Sequence, residues 1–319
     1  MAYKKLSMVL TLALLVMCGC GSQVELAMKF PADHIATYRV TTEMVKDYRF
    51  EQPSAEPPKV QENQSATIAA VTFDQRVDEV DAEGNAVATI TVKGLRYRLT
   101  EKDVTKYDFD STDAAAQAKP LAKVIGQTYR IRISPQGQVE VVDAEAIRRA
   151  VPGAADDGRI ARSLFSDESI IKRHTIMALP EAGDETVTVG DTWRRVEPSP
   201  PGLLAPKSYE KIYTLEKVEG AEGAQVAHVT MKAAESPTLA AEDTTQSAGM
   251  GFMAKMFDTR ETYTGSMEFD CGTGRVRRLV EKLAVNYIAA ESPANQKPDV
   301  GPDTLTMGLT YTTQVEALN

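Results

Sequence analysis

The chain has 319 residues, 25% of them charged, with a formal net charge of −9 and three cysteines. That length supports one large domain or two smaller ones with real cores. The acidity argues against a nucleic-acid partner and against electrostatic attraction to anionic lipid heads.

Residues 1–19 read as an export signal. Lys4 and Lys5 form a positive n-region, and Leu6 to Met17 is an apolar run of about a dozen residues, short of the roughly 20 a spanning helix needs. The run ends in Cys18-Gly19-Cys20, which resembles a bacterial lipobox. Cys20 is the expected lipidation site because small Gly19 precedes it; Cys18, preceded by bulky Met17, is the second choice. A diacylglyceryl Cys20 would tether the protein without spanning the membrane, since two acyl chains hold where one is marginal. The expected location is therefore exported and lipid-anchored, facing the periplasm or the cell exterior. Gly21 in place of Asp favours the outer membrane in a diderm cell. Loss of the leader takes the net charge from −9 to −11 and leaves Cys271 as the single free thiol, so no intramolecular disulfide is expected.

The elements that follow divide into a first β-module over 20–150, a helical connector over 151–185 and a second β-module over 186–319. The division rests on a repeat. Residues 82–93, AEGNAVATITVK, and residues 221–232, AEGAQVAHVTMK, share seven of twelve positions at a constant offset of 139. In each, a Glu-Gly turn leads into a strand with alternating apolar residues: Ala88, Ile90 and Val92, then Ala227, Val229 and Met231. Thr37-Tyr38-Arg39 and Thr192-Trp193-Arg194 open the two halves after turns at Asp33 and Asp191, and hairpins around Gly137 and Gly274 close them. The pattern predicts two related antiparallel β-modules from an internal duplication, an overall mainly β (α+β) fold. In the connector, Asp143 caps AEAIRRAV, and a second helical stretch runs from about Arg159 to Met177, with Ser166 offering a new cap. Pro-rich and polar loops are expected at 51–63, 198–207 and 291–303.

Convergent chemistry is scarce. His34, His174 and His228 fall in a turn, a helix and a strand, and none sits at metal-ligand spacing with another His or Cys. No HExxH, nucleophile elbow, P-loop or dinucleotide fingerprint is present in context. Cys271 lies in a hairpin turn without an evident activating base, so it reads as buried and inert. Asp108, Asp110 and Asp113 cluster, but the EF-hand pattern needs Gly and Glu where Asp113 and Lys119 stand, so a solvated acidic loop is the better reading. Met250, Met253 and Met256 form an MxxMxxM run with Phe252 and Phe257 beside them. Such thioethers could hold Cu(I), but the safer reading is an adaptable apolar ligand loop between about Ser236 and Arg260. No catalytic residue, metal site or cofactor is assigned.

The early Tyr38-Arg39 pair, AEGNAVATITVKGLRYRL, YDFDS, PLAKVIGQTYRIRISPQGQVEVV and VTVGDTWRRV follow one another in an order that resembles a family of exported bacterial lipoproteins, a domain of unknown function. The resemblance covers most of the chain after about Leu26 and implies an exported β-rich protein, with no catalytic residues to carry over. The expected function is a non-enzymatic, membrane-tethered envelope lipoprotein. It would bind an envelope protein or a ligand, in the sharpest form a lipid-like molecule in an apolar cleft as in half-barrel lipoprotein carriers. A structural envelope role is the alternative, ahead of a hydrolase or metal-binding protein.

Overall fold

The computed structural model describes residues 23–32, 34–205, 207–221, 223–238 and 256–318. The leader with Cys18 and Cys20, and Met250, Phe252 and Met253 of the methionine run, lie outside the described residues. The protein is mainly antiparallel β. It begins with β1 (Gln23–Glu25), β2 (Ile35–Gln52), β3 (Lys59–Val80), β4 (Ala86–Glu101), β5 (Val104–Asp110), β6 (Thr128–Ile133) and β7 (Val139–Asp143). Three short helices follow, α1 (Glu145–Ala150), α2 (Asp156–Leu164) and α3 (Asp167–His174). Then come β8 (Thr186–Thr188), β9 (Thr192–Pro198), β10 (Ser208–Glu219), β11 (Val226–Ser236), β12 (Asp258–Asp270), β13 (Arg275–Ala290) and β14 (Thr304–Ala317).

Twelve of these strands form one sheet in the order β7-β6-β4-β3-β2-β14-β13-β12-β11-β10-β9, with β5 beside β4; β1 pairs with β8 separately. One five-strand meander (β2, β3, β4, β6, β7) thus lies to one side of β14, and a second (β9 to β13) lies to the other. The repeated segments occupy corresponding places, each as the third strand of its meander and each paired with the strand before it. The expected 51–63 loop is mostly strand: β2 and β3 pair as far as Gln52 and Lys59, leaving a turn of six residues. Polar composition misled there because both faces of this hairpin end are largely exposed, so no apolar alternation marks it.

Alternation gives the sheet one buried face. Tyr38 and Val40 on β2, Val71 and Phe73 on β3, and Ala88, Ile90 and Val92 on β4 are all buried. On the other meander Tyr213, Leu215, Ala227, Val229 and Met231 are buried in the same way. Lys211 of β10 reaches Glu281 of β13 at 2.7 Å, across three strand spacings. Flat strands would hold these positions ~14 Å apart, which marks this face as concave. Curling is expected of so many strands, since twisted open sheets rarely exceed about ten without it.

The helices cover this inner face. The helical stretch expected over 159–177 is two helices, divided where the sequence offers a new cap: the Ser166 hydroxyl accepts from Ser169 N–H at 3.2 Å and starts α3. Phe165 and Ile170 are fully buried, each burial being worth roughly 1.5–3 kcal/mol. Asp157 fixes the start of α2, accepting from Tyr107 Oη at 2.7 Å and from Leu121 N–H at 2.9 Å.

The segment leading out of β1 ties the two meanders together at one end. Met28 N–H donates to Pro135 O (2.7 Å) in the β6–β7 turn, and Lys29 N–H to Gly274 O (3.1 Å) in the β12–β13 turn. Gly137 and Gly274 have φ of 76° and 64°, as the hairpins require, and each also permits a close approach. A Cβ on Gly137 would meet Ile176 O at 2.8 Å, and one on Gly274 would meet Lys29 at 2.5 Å.

Candidate ligand cleft

Between α2–α3 and the centre of the sheet lies a cleft of about 300 Å³. Its floor comes from three neighbouring strands. Val40, Thr42 and Met44 of β2 alternate inward; Val71, Ala69 and Thr67 oppose them on β3, and Thr313 and Tyr311 oppose Thr42 and Met44 on β14. These side chains are mostly short, so the helices arch over space that the floor does not fill. Tyr97 and Leu164 form further walls, and Pro201 of the β9–β10 loop bounds the opening. Gly202 beside it packs on β2: a Cβ there would lie 3.2 Å from Met44 Sδ.

The rim is polar and belongs to the helices, with Ser163, Glu168, Ser169, Lys172 and Arg173 all lining it. Lys172 Nζ sits 4.8 Å from the centre of the Tyr311 ring. Arg173 donates to Leu164 O at 2.5 Å and to Tyr129 Oη at 3.4 Å. Behind it, Tyr129 Oη and His174 Nε2 are 2.8 Å apart, and the His174 ring meets Phe73 edge-on at 4.6 Å. Burial, then the charge of Arg173, holds the His174 imidazole well below its ordinary pKa, so it is neutral and structural. A smaller space of about 30 Å³ adjoins this cluster and shares Val40 and Arg173 with the main cleft.

The inner face of the second meander is filled differently. Lys211, 2% exposed, bonds Glu197 at 2.8 Å and Glu281 at 2.7 Å, and Tyr263 Oη donates to Glu281 at 3.2 Å. Burial works against the Lys211 ammonium, but Glu281, the flanking Tyr213 and Tyr263, and Glu197 outweigh it and push its pKa well above the ordinary value. Burial pushes the Glu197 carboxyl up despite Lys211. Alongside, Glu261 accepts from Tyr209 Oη at 3.0 Å and pairs with Lys207, while Arg195 pairs with Glu181 and donates to Leu179 O at 2.8 Å.

The residues singled out from sequence are dispersed. Met256 is exposed, and Phe257 packs edge-on against Tyr287 at 6.3 Å; neither lines the cleft. Cys271 is a buried free thiol that burial pushes up in pKa, consistent with an inert residue. Asp108 and Asp110 lie on β5 facing Arg98 and Arg96, and Asp113 accepts from Ala115 N–H at the start of a 3-10 turn. His34 contacts Arg275, and His228 meets Glu219 at 3.1 Å. Among the described residues no group of three or more His, Cys, Asp or Glu side chains could hold a metal, and no helix is long and apolar enough to cross a membrane. Sequence reasoning missed Lys172, Arg173 and the threonines of the floor. The strand parity of Val40, Thr42 and Met44 was readable, but which helix arches over them was not.

No family model matches the chain, and no curated protein matches it. Among solved structures it is similar to lipovitellin, described for lipid–protein interactions, at a TM-score of 0.42 and 10% identity. The alignment covers 91% of this chain and 26% of that one, so the chain spans about a quarter of lipovitellin's length. A likeness of that order carries nothing over to this chain.

Proposed function

We propose that the protein is an exported lipoprotein, tethered through Cys20, that holds a hydrophobic molecule in the cleft beneath α2 and α3 and does no chemistry on it. The observation that carries this reading is the cleft: about 300 Å³ of space over a floor in which Val40, Met44, Ala69, Val71 and Tyr311 stand among the threonines Thr42, Thr67 and Thr313. That volume is at the lower end of small-molecule sites, which are apolar with a few placed polar groups. The charged groups here, Glu168, Lys172 and Arg173, sit at the rim, where a head group would remain near water. The tether is consistent with the fold, because β1 begins three residues after Cys20 and its following segment is pinned to both meanders. On this reading the protein belongs with the exported lipoproteins it resembles in sequence, outer-membrane bound in a diderm cell. Its two meanders descend from one duplicated unit, a view supported by their shared strand order and the seven matched positions.

Native mass spectrometry of the Cys20→Ala form, purified from its own host, tests the reading. The substitution removes the anchor's acyl chains, so a co-purifying lipid-like mass is the expected result. A bare protein mass would overturn the carrier role and leave a structural envelope role ahead. Fractionation gives the companion result: Cys20→Ala should move the protein from the membrane to the soluble exported fraction.

A further inference from the structure

Resting on the cleft reading above, we propose that the occupant is a single-chain amphiphile with an anionic head, a carboxylate or a phosphate. Its head lies at Lys172 and its chain along Val40, Val71 and Leu164.

Size limits the chain count. A space of about 300 Å³ is at the lower end of small-molecule sites. A space of that size suits one alkyl chain of medium length.

Charge selects the head. The protein as a whole is acidic, at −9, yet the rim carries two cations, Lys172 and Arg173, against one carboxylate, Glu168. Neither cation is ion-paired with a carboxylate among the described residues; Lys172 faces the Tyr311 ring and Arg173 bonds Leu164 O and Tyr129 Oη. The charge of Lys172 also acts on Glu197, but as the least of the influences on that carboxyl, whose direct partner is Lys211. Arg173 is committed to its backbone and tyrosine contacts, so Lys172 is the cation free to turn from an aromatic face to a stronger acceptor. Lys172 is solvent-exposed, so pairing with a carboxylate or phosphate oxygen there gains modestly over its ring contact. A cationic head would meet two like charges for one opposite.

Calorimetric titration of the Cys20→Ala chain decides this, using dodecanoate, dodecyl phosphate, dodecanol and dodecyltrimethylammonium, each below its micelle concentration. Both anions should bind about three- to fivefold tighter than dodecanol, and Lys172→Gln should remove that advantage while leaving dodecanol unchanged. Dodecanoate ahead of dodecyl phosphate assigns a fatty acid, and the reverse assigns a phosphorylated lipid; either supports the proposal. Equal binding of dodecanol and the anions, or no effect of Lys172→Gln, overturns the anionic head and leaves the cleft reading standing. Failure of all four probes overturns the cleft reading itself. Ala69→Trp fills the floor and should abolish binding of every probe; anion binding that survives it overturns the assignment of the head to this cleft.

Discussion

The two halves of the inner face share a strand order and differ in what fills them. On the first meander and β14 most of the inward residues beneath α2 and α3 are short, with Thr42, Thr67, Ala69, Val71 and Thr313 outnumbering Met44, Tyr97 and Tyr311. On the second they are long, with Lys211, Tyr209, Tyr213 and Tyr263 all fully or nearly buried. Side-chain length decides the outcome, because packed interiors leave few voids larger than a water molecule unless the lining is too short to close them. One half encloses space, and the other closes it with a hydrogen-bonded network of charges. That network is no guarantee of stability. Buried ion pairs lose solvation that their attraction repays only with good geometry, although breaking one is strongly destabilising.

Substitutions in each half sharpen the contrast. The largest effect is expected from Lys211→Met, which strands Glu197 and Glu281 without their cation and should lower the unfolding free energy by about 3–5 kcal/mol in urea denaturation. Adding Glu197→Gln and Glu281→Gln should recover much of that loss. If Lys211→Met unfolds at the wild-type urea midpoint, the network contributes nothing and the contrast collapses.

The first half is expected to be the acid-sensitive one. His174 is neutral in the fold because burial and Arg173 depress its pKa well below 6.5, while the unfolded chain protonates it near 6.5. The unfolded state therefore binds more protons in that window, so stability falls as pH drops below 6.5, by up to about 1.4 kcal/mol per unit. Glu197, raised above 4.5 in the fold, works in the opposite direction nearer that value. His174→Gln, which can still meet Tyr129, should flatten the dependence between pH 6.5 and 5; an unchanged slope would show that His174 is not its source.

Two smaller effects concern the cleft. Ala69→Leu should fill part of it, raising stability by about 0.5–2 kcal/mol while reducing ligand binding; a destabilised protein would mean that the space is already closed in solution. Ser166→Ala removes the cap of α3 and should cost about 1 kcal/mol. Thermal melting measures it, and no change would mean that packing alone holds the helix over the floor.

Much of the sheet was legible in sequence because period-two alternation survives wherever one face is buried, as at Ala88, Ile90 and Val92. The hairpin glycines were legible because a positive φ narrows the choice of residue. The far end of the β2–β3 hairpin was not, since exposure on both faces erases the signal. Lys211 was half visible: it shares the parity of Tyr209, Tyr213 and Leu215, a charge in an apolar register. Its partners Glu197 and Glu281 come from strands 14 positions before and 70 after it, a separation that no local pattern encodes. The cleft was invisible for the same reason, being a gap between elements brought together by the fold.

The placement of β14 bears on how the protein comes into being. It pairs with β2 on one side and β13 on the other, and it follows every other described strand in the chain. Each meander can assemble from neighbours in sequence, but the two cannot be sutured until residues 304–317 arrive. Such long-range closure is slow, because the entropy of the intervening chain is lost before its contacts form. A seam made last keeps the sheet from completing early, and it also leaves two unpaired strand edges exposed until the last strand is in place.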